Sequence, residues 1–245
     1  MKKITMVSMI ALCLITHHAY LLPETFFVAL LNKITAFCKT GIYSNDNLKI
    51  IPKGIDESVT TLCLDGNQIE DLKPLANLTN LETLMLGGNA IKDITPLAHL
   101  TNLKILHLGH NQIEDLKPLA NLTNLTHLFL EYNQIKNVEP LANLINLEFL
   151  SLGHNQIEDI KPLANLANLE FLSLGTNQIE DVKPLINLFN LEFLSLGANQ
   201  IKDVEPLSQL INLEYLDLYE NPITDHSVLN ILAKKKGILI VWERS

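Results

Sequence analysis

Cysteine is scarce in this chain: three in 245 residues, at positions 13, 38 and 63. Three scattered thiols make neither a disulfide framework nor a paired metal or redox motif. Basic residues are in deficit, 18 against 27 acidic, for a net charge of −9. That excludes the basic patch nucleic acid requires and works against anionic membranes. The ten glycines form no phosphate-cradling loop, and most of the Leu-Gly pairs recur at one place in a repeat. The uncharged run Ile4 to Thr16 is too short for a membrane span. Catalytic groupings are lacking too. Ser151, Ser173 and Ser195 recur at equivalent positions, so they are repeat residues and not a nucleophile with its base. No enzyme activity, cofactor or metal is expected.

What is present is a 22-residue period. It is marked by Asn67, Asn89, Asn111, Asn133, Asn155, Asn177, Asn199 and Asn221. The unit reads L-x-x-L-x-L-x-x-N-x-I-x-D-[IVL]-x-P-L-x-x-L-x-N. This period with this leucine spacing specifies a leucine-rich repeat solenoid. In the unit Leu147 to Asn168, Leu150 and Leu152 alternate with Phe149, Ser151 and Gly153, which predicts a short strand with its leucines inward. Asn155 sits at the turn, where its amide satisfies backbone groups the turn leaves unpaired. The eight asparagines therefore stack into a ladder. Ile157, Ile160, Leu163 and Leu166 point inward, and Pro162 opens a 3₁₀ or single-turn segment. The expected fold is an α/β solenoid: a curved, right-handed horseshoe with a parallel concave sheet and short 3₁₀ or helical turns on the convex side.

The chain divides into a secretory leader at 1–20, an N-terminal cap at 21–58, eight repeats at 59–222 and a C-terminal cap at 223–245. The leader follows from Lys2 and Lys3 before the apolar run. In the C-terminal cap, His226 replaces the inward isoleucine. Ser227 to Lys236 reads as an amphipathic helix, Gly237 as its stop, and Ile238 to Trp242 as a last strand. Charged pairs three residues apart, such as Glu70/Lys73, Glu114/Lys117 and Glu158/Lys161, form a solvated face.

Outward strand positions stack into columns one rung apart. One runs His127, Phe149, Phe171, Phe193, Tyr215 after Thr61, Thr83 and Ile105; the next includes Cys63, His107 and Phe129. With His110, Tyr132, His154 and Tyr219 from adjoining columns, these define an exposed aromatic–imidazole patch. Exposed contiguous apolar surface marks interaction sites, and aromatics are enriched at interface hot spots. The candidate partner-binding residues are therefore His107, His110, His127, Phe129, Tyr132, Phe149, His154, Phe171, Phe193, Tyr215 and Tyr219. The histidines lack the tight spacing of a metal site, and no acidic residue is clearly placed beside them. Glu82, Glu148, Glu170, Glu192 and Glu214 give the strand-start rim a negative cast.

The stretch Asp93-Ile-Thr-Pro-Leu-Ala-His-Leu-Thr-Asn-Leu103 and its repeats resemble those of bacterial internalins, from about Val59 to Leu229. The resemblance implies a monomeric, secreted or surface-exposed module whose concave face binds a protein or peptide, including host proteins. The chain departs from surface-anchored members in having no evident Ig-like module, wall-sorting signal or family-type helical cap. The same repeat class occurs in intracellular, cytoplasmic scaffolds and phosphatase-type regulators, and that alternative stays open.

Overall fold

The computed structural model describes residues 49–52, 54–225, 227–234 and 238–242. The leader at 1–20, most of the cap at 21–58, His226 and Gly237 lie outside the described residues. Among the described residues, nine strands of three residues each run β1 Thr61–Cys63, β2 Thr83–Met85, β3 Ile105–His107, β4 His127–Phe129, β5 Phe149–Ser151, β6 Phe171–Ser173, β7 Phe193–Ser195, β8 Tyr215–Asp217 and β9 Leu239–Val241. They form one sheet in sequence order. Each pairs in parallel with the next, as β5 does with β6 through Phe149↔Phe171 and Leu150↔Leu172. Seven 3₁₀ segments, from Lys73–Leu75 to Glu205–Gln209, alternate with the first eight strands. Helix α1, Ser227–Lys234, precedes β9, which pairs with β8 through Tyr215↔Leu239. This is the expected solenoid, with the last strand contributed by the cap.

The repeat consensus is explained residue by residue. Seven inward side chains of one unit, Leu147, Leu150, Leu152, Ile157, Ile160, Leu163 and Leu166, are all buried. Each such burial is worth about 1.5–3 kcal/mol, and it exists only because the neighbouring rungs supply the walls. The consensus aspartate closes a local turn: Asp159 Oδ1 accepts the Lys161 N–H at 2.9 Å, and Asp71, Asp115, Asp181 and Asp203 do the same in their units. Proline then occupies the start of each 3₁₀ segment, where no N–H is missed.

The asparagine ladder forms as expected and joins rungs as well as turns. Asn155 Nδ2 donates to Leu152 O in its own unit and to Leu130 O in the preceding one, each at 3.0 Å. Its Oδ1 accepts the Ile135 N–H at 3.0 Å. The last consensus asparagine, to which the sequence assigned no role, makes a second ladder on the opposite border of the sheet. Asn168, Asn190 and Asn212 donate to Ile145 O, Ala167 O and Phe189 O at 2.8, 2.9 and 2.7 Å. Each unit is thus stitched to its predecessor at both ends of the strand.

One expectation is refined and one needs correction. The charged face is solvated as expected, and within it Lys117 and Lys161 reach Asp115 and Asp159, two residues back, at 3.9 and 3.7 Å. The 3₁₀ turn brings the consensus aspartate nearer the lysine. Cys63 is disulfide-bonded; its partner lies outside the described residues. Its sulfur sits on the first rung, where the solenoid meets its cap.

Candidate binding face

Parallel pairing without slippage places the candidate residues in true columns. His127↔Phe149, Phe149↔Phe171, Phe171↔Phe193 and Phe193↔Tyr215 are direct rung neighbours. The rings stack face to face, with centroids 4.0 Å apart for Phe149–Phe171, 4.2 Å for Phe171–Phe193 and 4.5 Å for Phe193–Tyr215. His127 continues the stack at 6.0 Å from Phe149. Phe129 tilts against Phe149 at 4.7 Å and meets His107 edge-on at 5.6 Å.

The expected exposure of these rings is overturned. Phe149, Phe171, Phe193 and Tyr215 are only 1%, 4%, 3% and 5% exposed, and Phe129 is fully buried. They stand apart from the leucine core, which lies across the sheet. Stacking covers both faces of Phe171 and Phe193, and Phe129, Phe171 and Phe193 make further interactions beyond these stacks. Burial and the nearby Asp217 carboxylate push the Tyr215 phenol above its ordinary range. Burial also raises Asp217, against the bonds it accepts from the Tyr219 N–H and the Ser195 hydroxyl, each at 3.0 Å.

His107 is the second correction. It is buried, and acidic residues do flank it. Its Nδ1 donates to Asp65 Oδ1 at 3.1 Å, and its Nε2 lies 3.4 Å from Glu131 Oε1. Burial pulls the imidazole pKa down, but hydrogen bonding and charge from Asp65 and Glu131 outweigh it and hold it at about 9. His107 is therefore a cation at neutral pH. The cluster fits because two glycines make room: a Cβ on Gly87 would collide with the His107 ring and one on Gly109 with the Glu131 carboxylate. Its one trace in the sequence is the column Asp65, Gly87, Gly109, Glu131, Gly153, where two acids interrupt glycines without pointing to His107. Burial lowers the His127 pKa against the pull of Glu148, and its Nδ1 lies 3.0 Å from the Thr126 hydroxyl.

The accessible part of the patch is the adjoining column. Tyr132 is sandwiched between His110 and His154, with centroids 4.2 and 4.0 Å away. Both histidines are exposed and Tyr132 is half-buried, as is Tyr219. All three stacked residues have left-handed backbone, φ 55°, 53° and 54°, where the first two units place Gly66 and Gly88 at 69° and 65°. A side chain there costs roughly 1–2 kcal/mol that glycine avoids. Among the described residues no group of three or more His, Cys, Asp or Glu side chains is arranged to hold a metal ion. None of their helices is long and apolar enough to cross a membrane.

Comparison with known proteins agrees with this geometry. The leucine-rich repeat family, described as Leucine Rich repeats (2 copies), matches residues 57–99, 101–143, 145–187 and 190–230. Comparison with curated proteins gives no match. Among solved structures, internalin InlF of Listeria monocytogenes is 39% identical at a TM-score of 0.72, over 76% of this chain and 54% of that one. Internalin C2 of the same organism is 47% identical at a TM-score of 0.65, over 66% of this chain and 72% of that one. A leucine-rich repeat protein of Leptospira interrogans is 33% identical at a TM-score of 0.69, over 77% and 51%. The chain thus spans about half the length of the InlF and Leptospira structures. Its register, both asparagine ladders and these similarities place the chain in the leucine-rich repeat family, with repeats of the internalin type.

Proposed function

We propose that this chain is an exported, non-enzymatic binding module that engages a protein partner, such as a host-cell protein, through its concave face. The observation that carries the reading is the accessible His110–Tyr132–His154 stack. The repeat needs nothing aromatic there, since later units place Thr176, Ala198 and Glu220 at the same left-handed position. Strained positions bearing exposed aromatic groups are where function is to be sought. The buried ring column beside the stack stiffens the face and holds it in shape. Export is supported by the disulfide at Cys63, because such bonds persist in oxidising compartments. It is supported further by the leader expected at 1–20.

The test is capture of a partner by the wild-type chain and by a Tyr132→Ser, His154→Ser double variant. The variant relieves no packing of the leucine core, so it should fold normally and bind at least about tenfold more weakly. Equal capture would remove the concave face from consideration. A mature N-terminus near Tyr20 supports export. An unprocessed chain confined to the cytosol would leave the intracellular scaffold reading instead.

A further inference from the structure

The second half of the solenoid changes its surface chemistry on two exposed columns at one rung. The lateral column just before each strand is Thr79, Thr101 and Thr123 in the first units, then Ile145, Ala167, Phe189 and Ile211. Three residues further on, the rim column is Glu82, Lys104 and Thr126, then Glu148, Glu170, Glu192 and Glu214. Both switches fall at the start of the unit Leu147 to Asn168, Ile145 just before it and Glu148 just inside it, and the leucine core requires neither.

The apolar column is open to solvent: Ile145 is 54% exposed, Phe189 49% and Ile211 71%. Its geometry is fixed, because the second asparagine ladder holds the carbonyls of Ile145, Ala167 and Phe189 in rung register. The rim column is fixed likewise: the Glu170, Glu192 and Glu214 N–H groups donate to the Glu148, Glu170 and Glu192 carbonyls at 2.9, 2.9 and 2.8 Å.

The first half shows how the fold neutralises this position when left to itself. Lys104 Nζ lies 2.7 Å from Glu82 Oε2 on the rung before. From Glu148 to Glu214 no such alternation exists, and like charges repeat rung on rung. The Glu192 carboxyl is raised by partial burial and then by the charges of Glu170 and Glu214. A row of carboxylates with no ion-pair partner among the described residues, beside a row of exposed apolar side chains, has the complement of a cationic, partly apolar chain.

We propose that this edge of units five to eight docks a protein segment carrying Lys or Arg side chains at about one per rung beside apolar residues. The cations pair with Glu148, Glu170, Glu192 and Glu214, and the apolar residues cover Phe189 and Ile211. The site is distinct from the concave stack and does not rest on it.

The experiment selects random 12-residue peptides displayed on phage against the full chain. The enriched peptides are then measured as free, labelled peptides. The expected peptides interleave Lys or Arg with apolar residues. Their affinity should fall at least about tenfold with Phe189→Ser, Ile211→Ser and with Glu170→Gln, Glu192→Gln. It should also weaken steeply between 50 and 500 mM salt, on the order of tenfold, and be unchanged by Tyr132→Ser, His154→Ser. These substitutions are at exposed or half-exposed positions, and thermal midpoints no lower than that of the wild-type chain verify folding. Enrichment of acidic or uncharged peptides, no enrichment, or loss only with the concave variant would overturn the proposal. So would self-association in sedimentation that Phe189→Ser abolishes, since the occupant would then be a second copy.

Discussion

Replacing Asn155 by alanine removes every bond its amide makes, but those bonds are not equally irreplaceable. Leu130 O also accepts Asn133 Nδ2 at 3.1 Å, and Leu152 O also accepts Asn177 Nδ2 at 3.0 Å. Gly153 O retains the Tyr132 N–H at 3.0 Å. Only the Ile135 N–H, bonded to Asn155 Oδ1 at 3.0 Å, is left buried with no acceptor. One orphaned buried donor costs about 1–3 kcal/mol, and two weakened carbonyls add roughly 0.5–1 each, for a total of about 3 kcal/mol. With a urea slope of about 2 kcal/mol per molar, the unfolding midpoint drops by about 1.5 M. The shared carbonyl makes a sharper prediction. In Asn133→Ala, Asn155→Ala, Leu130 O loses both side-chain donors, so the pair should cost about 1 kcal/mol more than the sum of the singles. Urea titration of the four proteins, followed by circular dichroism, measures both quantities. Additive singles, or a single loss under about 1 kcal/mol, would refute the ladder's role as a linked network.

Three further outcomes follow from the binding face. His107 has a folded pKa of about 9 against an ordinary 6.5, so its ion pairing stabilises fully below pH 6.5 and is lost as pH rises through 9. The stability advantage of wild type over His107→Gln should therefore shrink across that window; an advantage that is flat or grows would contradict the cationic assignment. Gly109→Ala should destabilise by about 1–3 kcal/mol because its Cβ forces the buried Glu131 carboxylate out of its place beside His107. Gly153→Ala in the same column, meeting Gly175 O at 3.4 Å, should cost clearly less in the same melts. Glu192→Gln removes one member of a like-charged row and should raise the melting temperature slightly. The gain should disappear in 0.5 M salt, which is about where screening falls to a few ångströms.

The repeat made most of the fold legible, because the leucine positions, the turn asparagines and the prolines each answer a local demand that recurs every 22 residues. The candidate face was legible as columns, since parallel pairing with fixed register follows from the period. Three things were not. The stacked phenylalanines read as exposed because strand alternation tells which side of the sheet a ring takes, not how much of it its neighbours cover. The left-handed backbone at His110, Tyr132 and His154 was hidden because only Gly66 and Gly88 advertise it. The pairing of His107 with Asp65 and Glu131 spans rungs on either side of it, which spacing within one unit does not display.

The central claim is that binding resides in outward positions that the fold does not require. Hydrogen exchange of the chain alone and bound to a captured partner tests it most directly. Binding on the predicted face protects the backbone around His110, Tyr132 and His154, at β3 to β5. It leaves the convex 3₁₀ segments, such as Lys161–Asn165, exchanging as before. Protection confined to those convex segments, with the concave strands unchanged, would contradict the account.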